Sequence, residues 1–235
     1  MPSRIHNFGV FCQKAGYYLR ASRKLSTSDS IALRIRLARE CLQSFGIEFV
    51  PPDEAIVNAQ PQCIYVANHA SLLDAVLICS TFGENLRILA KDTLFKMPWI
   101  GPILKKERHI RVHRSKGKSA CQNAIKEAIS GAIGEGASVL IFPEGTRTPD
   151  GKLGPFKHGA FYNAIQNHVP IVPLVIRGAY EAMPKTTLKI RPGKCSIDIL
   201  PPVQIPDESV GDEKKRAEML CEQVRNLLLN ALEQK

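Results

Sequence analysis

The sequence has no uninterrupted apolar run that approaches the roughly 18 residues a membrane-spanning helix needs. Its first residues, Met-Pro-Ser-Arg, also begin without the apolar core and small-residue cleavage site of a secretory signal peptide. We therefore predict no transmembrane helix and no signal peptide, and we expect the chain to stay in the cytosol. With 44% hydrophobic and 23% charged residues over 235 positions, the composition is that of a folded domain.

Cysteine is present but is not arranged for chemistry. The seven cysteines are an odd number and contain no Cys-x-x-Cys pair, so they fit neither a disulfide framework nor a thiolate zinc site. His109 and His113 have a spacing that could bind a metal from a helix, but we place them in a strand, where they lie too far apart to share one. We expect reduced, mostly buried thiols, no metal and no cofactor.

Motifs of several common enzyme classes are also missing. No Gly-x-Ser-x-Gly sequence is present to supply the serine of an α/β-type hydrolase or thioesterase. The sequence at 117–119, Gly-Lys-Ser, lacks the upstream glycine of a phosphate-binding P-loop, and the glycines within 131–136 do not have the spacing of the dinucleotide fingerprint. Serine hydrolase and nucleotide-binding functions are therefore disfavoured.

The formal net charge of +10 comes from two basic segments. Residues 1–50 hold 8 lysines and arginines against 3 acidic residues, residues 105–118 hold 7 against 1, and the other 171 residues hold 17 against 18. Such patches suit phosphate-rich partners, namely nucleic acid, an anionic lipid surface or a phosphorylated substrate. Aromatic residues make up only 6% of the chain, which is few for an RNA-stacking surface, so we do not expect nucleic acid as a partner.

After residue 50 the hydrophobic pattern alternates between short β-rich runs and helical ones. Strands are predicted at 63–67, 87–90, 109–112, 138–142, 171–176 and 196–200. Helices are predicted at 72–80, 119–133, 159–167 and 213–233. Alternation of this kind predicts an α/β fold with a mostly parallel central sheet flanked by helices, and we assign residues 51–235 to one such domain.

Residues 1–50 are predicted to form an N-terminal hairpin of basic helices, at 8–24 and 30–45. The apolar stripe of the second helix is assigned to Ile31, Ile35, Ala38 and Leu42. Its polar side is assigned to Arg34, Arg36 and Arg39. A basic amphipathic helix either docks on an anionic membrane or packs on its own domain, and this segment alone leaves both possibilities open.

A histidine follows the first strand of the predicted α/β domain. Residues 68–74 read Asn-His-Ala-Ser-Leu-Leu-Asp. Ligands of open α/β sheets bind at the carboxyl ends of strands, and His69 could accept a proton there if Asp74 fixed its tautomer. Five residues of separation turn two side chains about 140° apart on one straight helix, so Asp74 must reach back to a histidine that precedes the first turn. Alternatively, Ser71 and Asp74 form only a capping box.

Glycines and fixed cations follow the strand predicted at 138–142. Residues 142–147 read Phe-Pro-Glu-Gly-Thr-Arg, and Lys157 and Gly159 come shortly after. Glycine lets the backbone approach a ligand, Arg147 and Lys157 supply positive charge, and Gly159 lies near a predicted helix N-terminus. These features describe a site for an anion such as phosphate. A solvated turn with an incidental salt bridge from its glutamate would fit as well.

Together, these two segments resemble the glycerolipid acyltransferase family, the bacterial-type 1-acyl-sn-glycerol-3-phosphate (lysophosphatidate) acyltransferases. The family's Asn-His-x4-Asp block matches at Asn68, His69 and Asp74. Its Phe-Pro-Glu-Gly-Thr-Arg block matches at every position of 142–147. The two blocks occur in the family's order and at a suitable separation, and the resemblance covers about residues 64–176.

Other parts of the chain are less similar to the family. Lys91 resembles the lysine that follows the family's second strand, and residues 156–161 and 169–173 resemble its downstream blocks. The family's second block ends in Asp-Arg, whereas this chain has His113 and Arg114 there and lacks the block's glycine. We expect this departure to affect the choice of acceptor more than the type of reaction.

The resemblance implies an enzyme that moves a fatty acyl group from acyl-coenzyme A or acyl carrier protein to the sn-2 hydroxyl of 1-acyl-glycerol-3-phosphate. It implies His69 as the general base and Asp74 as the residue that orients its ring. It also implies that cations bind the acceptor phosphate in a site shaped by the glutamate and glycine of the 142–147 block. The candidate substrate-binding residues are Lys91, Arg114, Glu144, Gly145, Thr146, Arg147 and Lys157.

A lipid acceptor implies a peripheral protein at the cytoplasmic face of a membrane. The expected partners are an anionic membrane surface, the lysophospholipid acceptor and the acyl donor. The N-terminal helices could supply the membrane contact, helped by Phe95, Met97, Trp99 and Ile100 unless these lie in the core. Other lysolipids, a lyso-aminolipid or glycerol 3-phosphate stay open as acceptors. Outside enzymes, the alternative is a basic lipid- or nucleic-acid-binding module.

Overall fold

The computed structural model describes residues 4–113 and 118–234 and contains one seven-stranded sheet. The strands are β1 (Ile47–Val50), β2 (Ile64–Ala67), β3 (Leu86–Lys91), β4 (Ile110–Val112), β5 (Ser138–Ile141), β6 (Ile171–Arg177) and β7 (Gly193–Ile199). Their order across the sheet is β1-β7-β6-β2-β5-β3-β4. Strands β2 to β6 are mutually parallel, whereas β7 runs antiparallel to β6 and β1 runs parallel to β7.

Helices cover both faces of the sheet. They are α1 (Arg4–Ala21), α2 (Thr27–Ser44), α3 (Glu54–Asn58), α4 (Leu73–Cys79), α5 (Asp92–Phe95), α6 (Ile100–Lys106), α7 (Lys118–Gly134), α8 (Gly159–Gln166), α9 (Ala179–Ala182) and α10 (Glu213–Glu233). The predicted α/β fold with a mostly parallel, helix-flanked sheet is confirmed. Each strand predicted from the sequence overlaps an observed one, but β1 was not predicted.

Strand β2 shows how the core divides into two layers. Tyr65 and Ala67 face one layer, which also contains residues from α2 and α4. Ile64 and Val66 face the other layer, which contains residues from α7, α8 and α10. Successive side chains of a strand point to opposite faces, so a strand buried on both faces is apolar throughout. Each fully buried aliphatic side chain contributes about 1.5–3 kcal/mol to folding.

The apolar stripe predicted for α2 was only partly right: Leu42 is buried, but Ile31, Ile35 and Ala38 are half-buried. The buried residues of this helix are Ser30, Leu33, Arg34, Leu37, Cys41 and Leu42. Arg34, which the sequence pattern assigns to the polar side, is buried against Glu107, with 3.0 Å between Arg34 Nε and Glu107 Oε1. It also donates to the carbonyl of Phe82 at 2.8 Å. Buried charge is costly without a partner, and residue periodicity cannot reveal a partner that is distant in the sequence. The helix packs on its own domain, against α4 and β1.

The parallel strands end at one edge of the sheet, which we term the carboxyl edge. His69 follows β2 there, the 142–147 segment follows β5, and Lys91 is the last residue of β3. Because β7 is antiparallel, it begins at the same edge. The fold therefore brings the predicted catalytic and anion-binding segments to neighbouring positions. Among the described residues, no helix is both long and apolar enough to cross a membrane.

Candidate active site

His69 and Asp74 lie together at the carboxyl end of β2. The chain leaves the strand at Asn68 and His69 and enters α4, so Asp74 lies in the first turn of that helix. Asp74 Oδ2 is 2.7 Å from His69 Nδ1. Because the helix begins after His69, Asp74 can reach back across the five-residue separation. Asp74 is fully buried, whereas the side chain of His69 is 22% exposed.

The same carboxylate oxygen also binds the turn that leads into α4. Asp74 Oδ2 accepts hydrogen bonds from the backbone N–H groups of Ala70 and Ser71, both at 2.9 Å. The capping alternative is met only in part, because Asp74 binds the N–H of Ser71 but the N-cap of α4 is Leu72, which has no side-chain capping bond. Binding of this turn is compatible with orientation of the histidine, since one carboxylate oxygen does both. An ionised carboxylate only accepts, so His69 holds a hydrogen on Nδ1 and a lone pair on Nε2. That nitrogen can accept a proton.

The segment after β5 fixes His69 from the other side. Its ring stacks on Phe142, with 4.1 Å between ring centroids and 22° between ring planes. The backbone N–H of His69 donates to Glu144 Oε1 at 2.8 Å, and its carbonyl accepts from the N–H of Thr148 at 2.8 Å. These contacts hold both the ring and the backbone of the residue, which is what a general base needs to keep a productive geometry.

Glu144 connects the two segments through backbone hydrogen bonds. Besides the bond from His69, its Oε2 atom accepts from the N–H of Gly154 at 3.0 Å, and the residue is only 8% exposed. Burial raises the pKa of the Glu144 carboxyl, although the two backbone hydrogen bonds act to lower it. Both carboxylate oxygens of Glu144 accept hydrogen bonds from the protein backbone. Glu144 therefore joins the segment after β2 to the segment after β5, and among the described residues it forms no salt bridge of the incidental kind left open above.

Cationic side chains lie in and against the Gly145–Arg147 loop. Gly145 has φ +70°, a left-handed conformation that favours glycine. Lys157 lies over it, because a Cβ atom at this position would be 2.7 Å from Lys157 Nζ. Arg147 Nη1 is buried and has no hydrogen-bond partner within the described residues. A buried guanidinium N–H without an acceptor, on a loop that an ammonium group contacts, is the arrangement expected of an anion-binding site.

Lys185, which the sequence did not single out, contacts the same loop. It lies between α9 and β7, and its Nζ atom donates to the carbonyl of Arg147 at 2.8 Å and to the hydroxyl of Thr146 at 3.3 Å. No motif marks this lysine. The signal that could have found it is the basic segment 184–194, which has four lysines and arginines and no acidic residue.

Lys91, another predicted phosphate-binding residue, lies farther along the carboxyl edge. Lys91 is exposed at the end of β3, the strand that pairs with β5 on the side away from β2. Arg114 lies outside the described residues. His113, which stands where the family has aspartate, is 3.3 Å from Asp92, measured between Nδ1 and Oδ1. The departure from the family pattern thus introduces a histidine–carboxylate pair beside Lys91.

The two histidines with metal-like spacing do not converge. His109 is buried, its Nε2 is 3.4 Å from Glu107 Oε2, and its Nδ1 accepts from the N–H of Ile88 at 3.2 Å. His113 pairs with Asp92 instead. Across residues 4–113 and 118–234, no group of three or more histidine, cysteine or acidic side chains could hold a metal ion.

The four buried cysteines are not activated as nucleophiles. All seven are free. Burial raises the pKa of the Cys63 thiol to about 12, although bonds to its neighbours partly oppose this. Burial likewise raises the pKa to about 11 in Cys41, Cys195 and Cys221. Reactive cysteines have a lowered pKa instead, so the protonated thiols of these four residues are unsuited to covalent catalysis.

Comparison with known proteins gives one family match and several related sequences. The sequence model of the Acyltransferase family matches residues 45–177. The chain is 34% identical over 171 residues to the 1-acyl-sn-glycerol-3-phosphate acyltransferase of Limnanthes alba, covering 72% of this chain and 60% of that protein. It is 33% identical over 131 residues to the human 1-acyl-sn-glycerol-3-phosphate acyltransferase beta, covering 56% of this chain and 47% of that protein. The chain thus spans about half to three fifths of these relatives.

A solved structure shares the fold. The crystal structure of the 1-acyl-sn-glycerophosphate (LPA) acyltransferase PlsC from Thermotoga maritima matches with a TM-score of 0.73 and 23% sequence identity. The match covers 94% of this chain and 88% of that one. At this identity, the similarity supports the architecture rather than a particular substrate.

Proposed function

This chain belongs to the acyltransferase family, and we propose that it transfers a fatty acyl group from a thioester donor to the sn-2 hydroxyl of 1-acyl-glycerol-3-phosphate, forming phosphatidate. The names of the Limnanthes and human relatives support this acceptor. The observation that carries the proposal is the juxtaposition of a carboxylate-oriented histidine with a buried, unpartnered arginine N–H. One group suits deprotonation of a hydroxyl, and the other suits binding of a phosphate on the same molecule.

In the proposed reaction, Nε2 of His69 takes the proton of the acceptor hydroxyl as its oxygen attacks the thioester carbonyl. Asp74 stabilises the resulting imidazolium through Nδ1. A carbon–oxygen bond forms, the carbon–sulfur bond then breaks, and the leaving thiolate receives the proton from His69. Deprotonation, orientation and stabilisation of the transient oxyanion account for catalysis without an acyl-enzyme.

We assign the acceptor phosphate to the Gly145–Arg147 loop. Arg147 offers its unused N–H, and Lys157 lies over Gly145. Lys91 extends this basic site along the carboxyl edge in our proposal, and Arg114 is assigned to the same phosphate from the family resemblance alone. A planar guanidinium can donate two parallel hydrogen bonds to phosphate, which fixes the orientation of the acceptor as well as holding it.

For a lipid acceptor, the proposal includes peripheral attachment to the cytoplasmic face of an anionic membrane. Trp99 and Met97 are 44% and 40% exposed, whereas Phe95 is buried and unavailable to lipid. Trp99 has φ +71°, an unusual conformation for a non-glycine residue, and its ring lies against Gly16 of α1. A strained, exposed tryptophan between two basic segments suits the interfacial region of a membrane.

The reaction is tested by thiol release from palmitoyl-coenzyme A with different acceptors. Wild-type protein and His69→Ala are compared with lysophosphatidate, glycerol 3-phosphate, a lyso-aminolipid or no acceptor, and each assay is repeated with palmitoyl-acyl carrier protein. We expect release that requires lysophosphatidate, and a fall of about 100- to 10,000-fold in His69→Ala, the usual contribution of a general base.

Each other outcome of this assay has a distinct meaning. Acceptor-independent release would indicate a thioesterase, and a preference for another acceptor would correct the substrate. Undiminished activity of folded His69→Ala would overturn the mechanism. No release from either donor would leave a basic binding module as the better interpretation.

A further inference from the structure

The segment between α9 and β7 contacts both halves of the candidate site. The hydroxyl of Ser71, two residues after His69, donates to the carbonyl of Met183 at 2.8 Å. Two residues farther along, the ammonium group of Lys185 donates to Arg147 and Thr146. The first contact reaches the segment of the general base, and the second reaches the anion-binding loop. Lys185 is therefore held in a fixed position relative to both.

The hydrogen bonds of Lys185 leave one donor unassigned. A lysine ammonium has three N–H donors and no acceptor, and the described contacts of Lys185 are the carbonyl of Arg147 and the hydroxyl of Thr146. Both acceptors belong to the loop that carries the unpartnered Nη1 of Arg147. The positively charged ammonium group of Lys185 thus contacts the backbone of the loop that contains Arg147.

The Gly145–Arg147 loop therefore contains one cationic side chain and is contacted by two more. Arg147 belongs to it, Lys157 lies over Gly145, and Lys185 is bonded to Thr146 and to the Arg147 carbonyl. The hydrogen-bond partners recorded for the Lys185 side chain are uncharged, so its charge is not neutralised by these contacts. A phosphate monoester carries about −1.5 to −2 charges near pH 7. A loop with three cations is matched to such a group more closely than to a phosphodiester, which carries a single negative charge.

We propose that Lys185 is a specificity-determining residue that binds the phosphate monoester of the acceptor together with Arg147 and holds the Arg147 loop in place. This inference rests on the proposed function and extends it to a residue outside the family blocks. It also places the start of the 184–194 segment at the acceptor site. Phosphate binding would use the third N–H of Lys185 and the buried Nη1 of Arg147.

The test measures binding and turnover separately. Binding of a short-chain lysophosphatidate is measured by calorimetry in the His69→Ala background, and kcat and KM are measured in the otherwise wild-type protein. The variants are Lys185→Gln, which removes the charge, and Lys185→Arg, which keeps it. Lys189→Gln is the matched control, because Lys189 is an exposed lysine of the same segment. Thermal unfolding verifies that each variant is folded.

We expect Lys185→Gln to raise the Kd and the KM for lysophosphatidate by about 10- to 100-fold, the effect of losing one charge-assisted hydrogen bond. The KM for the acyl donor should not change, Lys185→Arg should recover most of the affinity, and Lys189→Gln should match the wild type. Unchanged lysophosphatidate affinity in folded Lys185→Gln would overturn the inference. So would a loss of kcat without a change in affinity, which would indicate a purely structural role.

Failure of the inference differs from failure of the proposed function. If wild-type protein turns over lysophosphatidate and Lys185→Gln behaves identically, only the role of Lys185 is refuted. If wild-type protein neither binds nor turns over lysophosphatidate, the acceptor assignment itself is refuted, and the role of Lys185 with it.

Discussion

Replacement of Asp74 by asparagine should separate the proposed catalytic role of this residue from its role in binding the turn before α4. Asparagine has nearly the same shape and keeps an oxygen that can accept from the N–H groups of Ala70 and Ser71. It removes the negative charge that stabilises a protonated His69. Asp74→Asn should therefore leave the fold nearly intact and slow the reaction.

The size of the rate effect follows from the contact between Asp74 and His69. Their interacting atoms are 2.7 Å apart, and Asp74 is fully buried. Two unit charges about 4 Å apart attract by about 4 kcal/mol at an effective dielectric constant near 20. Partial exposure of the His69 ring reduces this attraction, so we expect Asp74→Asn to lose about 3–4 kcal/mol of transition-state stabilisation. That corresponds to a fall of about 100- to 1,000-fold in kcat.

Asp74→Ala provides the structural comparison. It removes the acceptor of two backbone N–H groups at the buried start of α4. Each of these two unsatisfied buried donors costs about 1–3 kcal/mol, so the free energy of unfolding should fall by about 2–6 kcal/mol. Urea unfolding measures this change, and thiol release measures kcat. An Asp74→Asn variant with kcat near the wild-type value, or one as unstable as Asp74→Ala, would refute the assigned division of roles.

Two further predictions concern stability and membrane attachment. Arg34→Ala should lower the free energy of unfolding by about 3–5 kcal/mol, because it leaves the buried Glu107 carboxylate without its arginine. The control is Arg36→Ala, whose side chain is 63% exposed, and it should change the free energy of unfolding by less than about 1 kcal/mol. Equal effects of the two variants in urea unfolding would contradict the importance of the buried pair. Trp99→Ser should weaken sedimentation with anionic vesicles by several-fold. Leu227→Ser, which changes an exposed leucine on α10, should leave sedimentation unchanged. Equal vesicle binding by the two variants would show that Trp99 is not part of the membrane contact.

The sequence predicted the parts of the fold that local pattern determines. Strand β2 is apolar throughout, and α10 has a long helical stripe, so both were located closely. Strand β1 was not, because Ile47–Val50 is short, only partly buried, and defined by pairing with β7, which is distant in the sequence. The apolar stripe of α2 was only partly right for a related reason: Arg34 is stabilised in the interior by Glu107, and periodicity contains no information about that partner.

The candidate site shows the same division between local and distant information. His69, Asp74 and the 142–147 segment were predicted as site residues from their residue types and spacing, and the fold brings them together at the carboxyl edge. The bridge formed by Glu144, which accepts hydrogen bonds from two separate segments, could not be read from spacing. Lys185 was missed because it reaches the site only through the path of the chain between α9 and β7.

The most direct test of the account is detection of the acylated product. Purified protein is incubated with isotope-labelled palmitoyl-coenzyme A and 1-oleoyl lysophosphatidate, and the lipids are analysed by mass spectrometry beside a His69→Ala control. The account predicts phosphatidate that carries the labelled chain at sn-2, with formation reduced at least about 100-fold in the variant. Labelled free palmitate without phosphatidate, or equal product from both proteins, would contradict it.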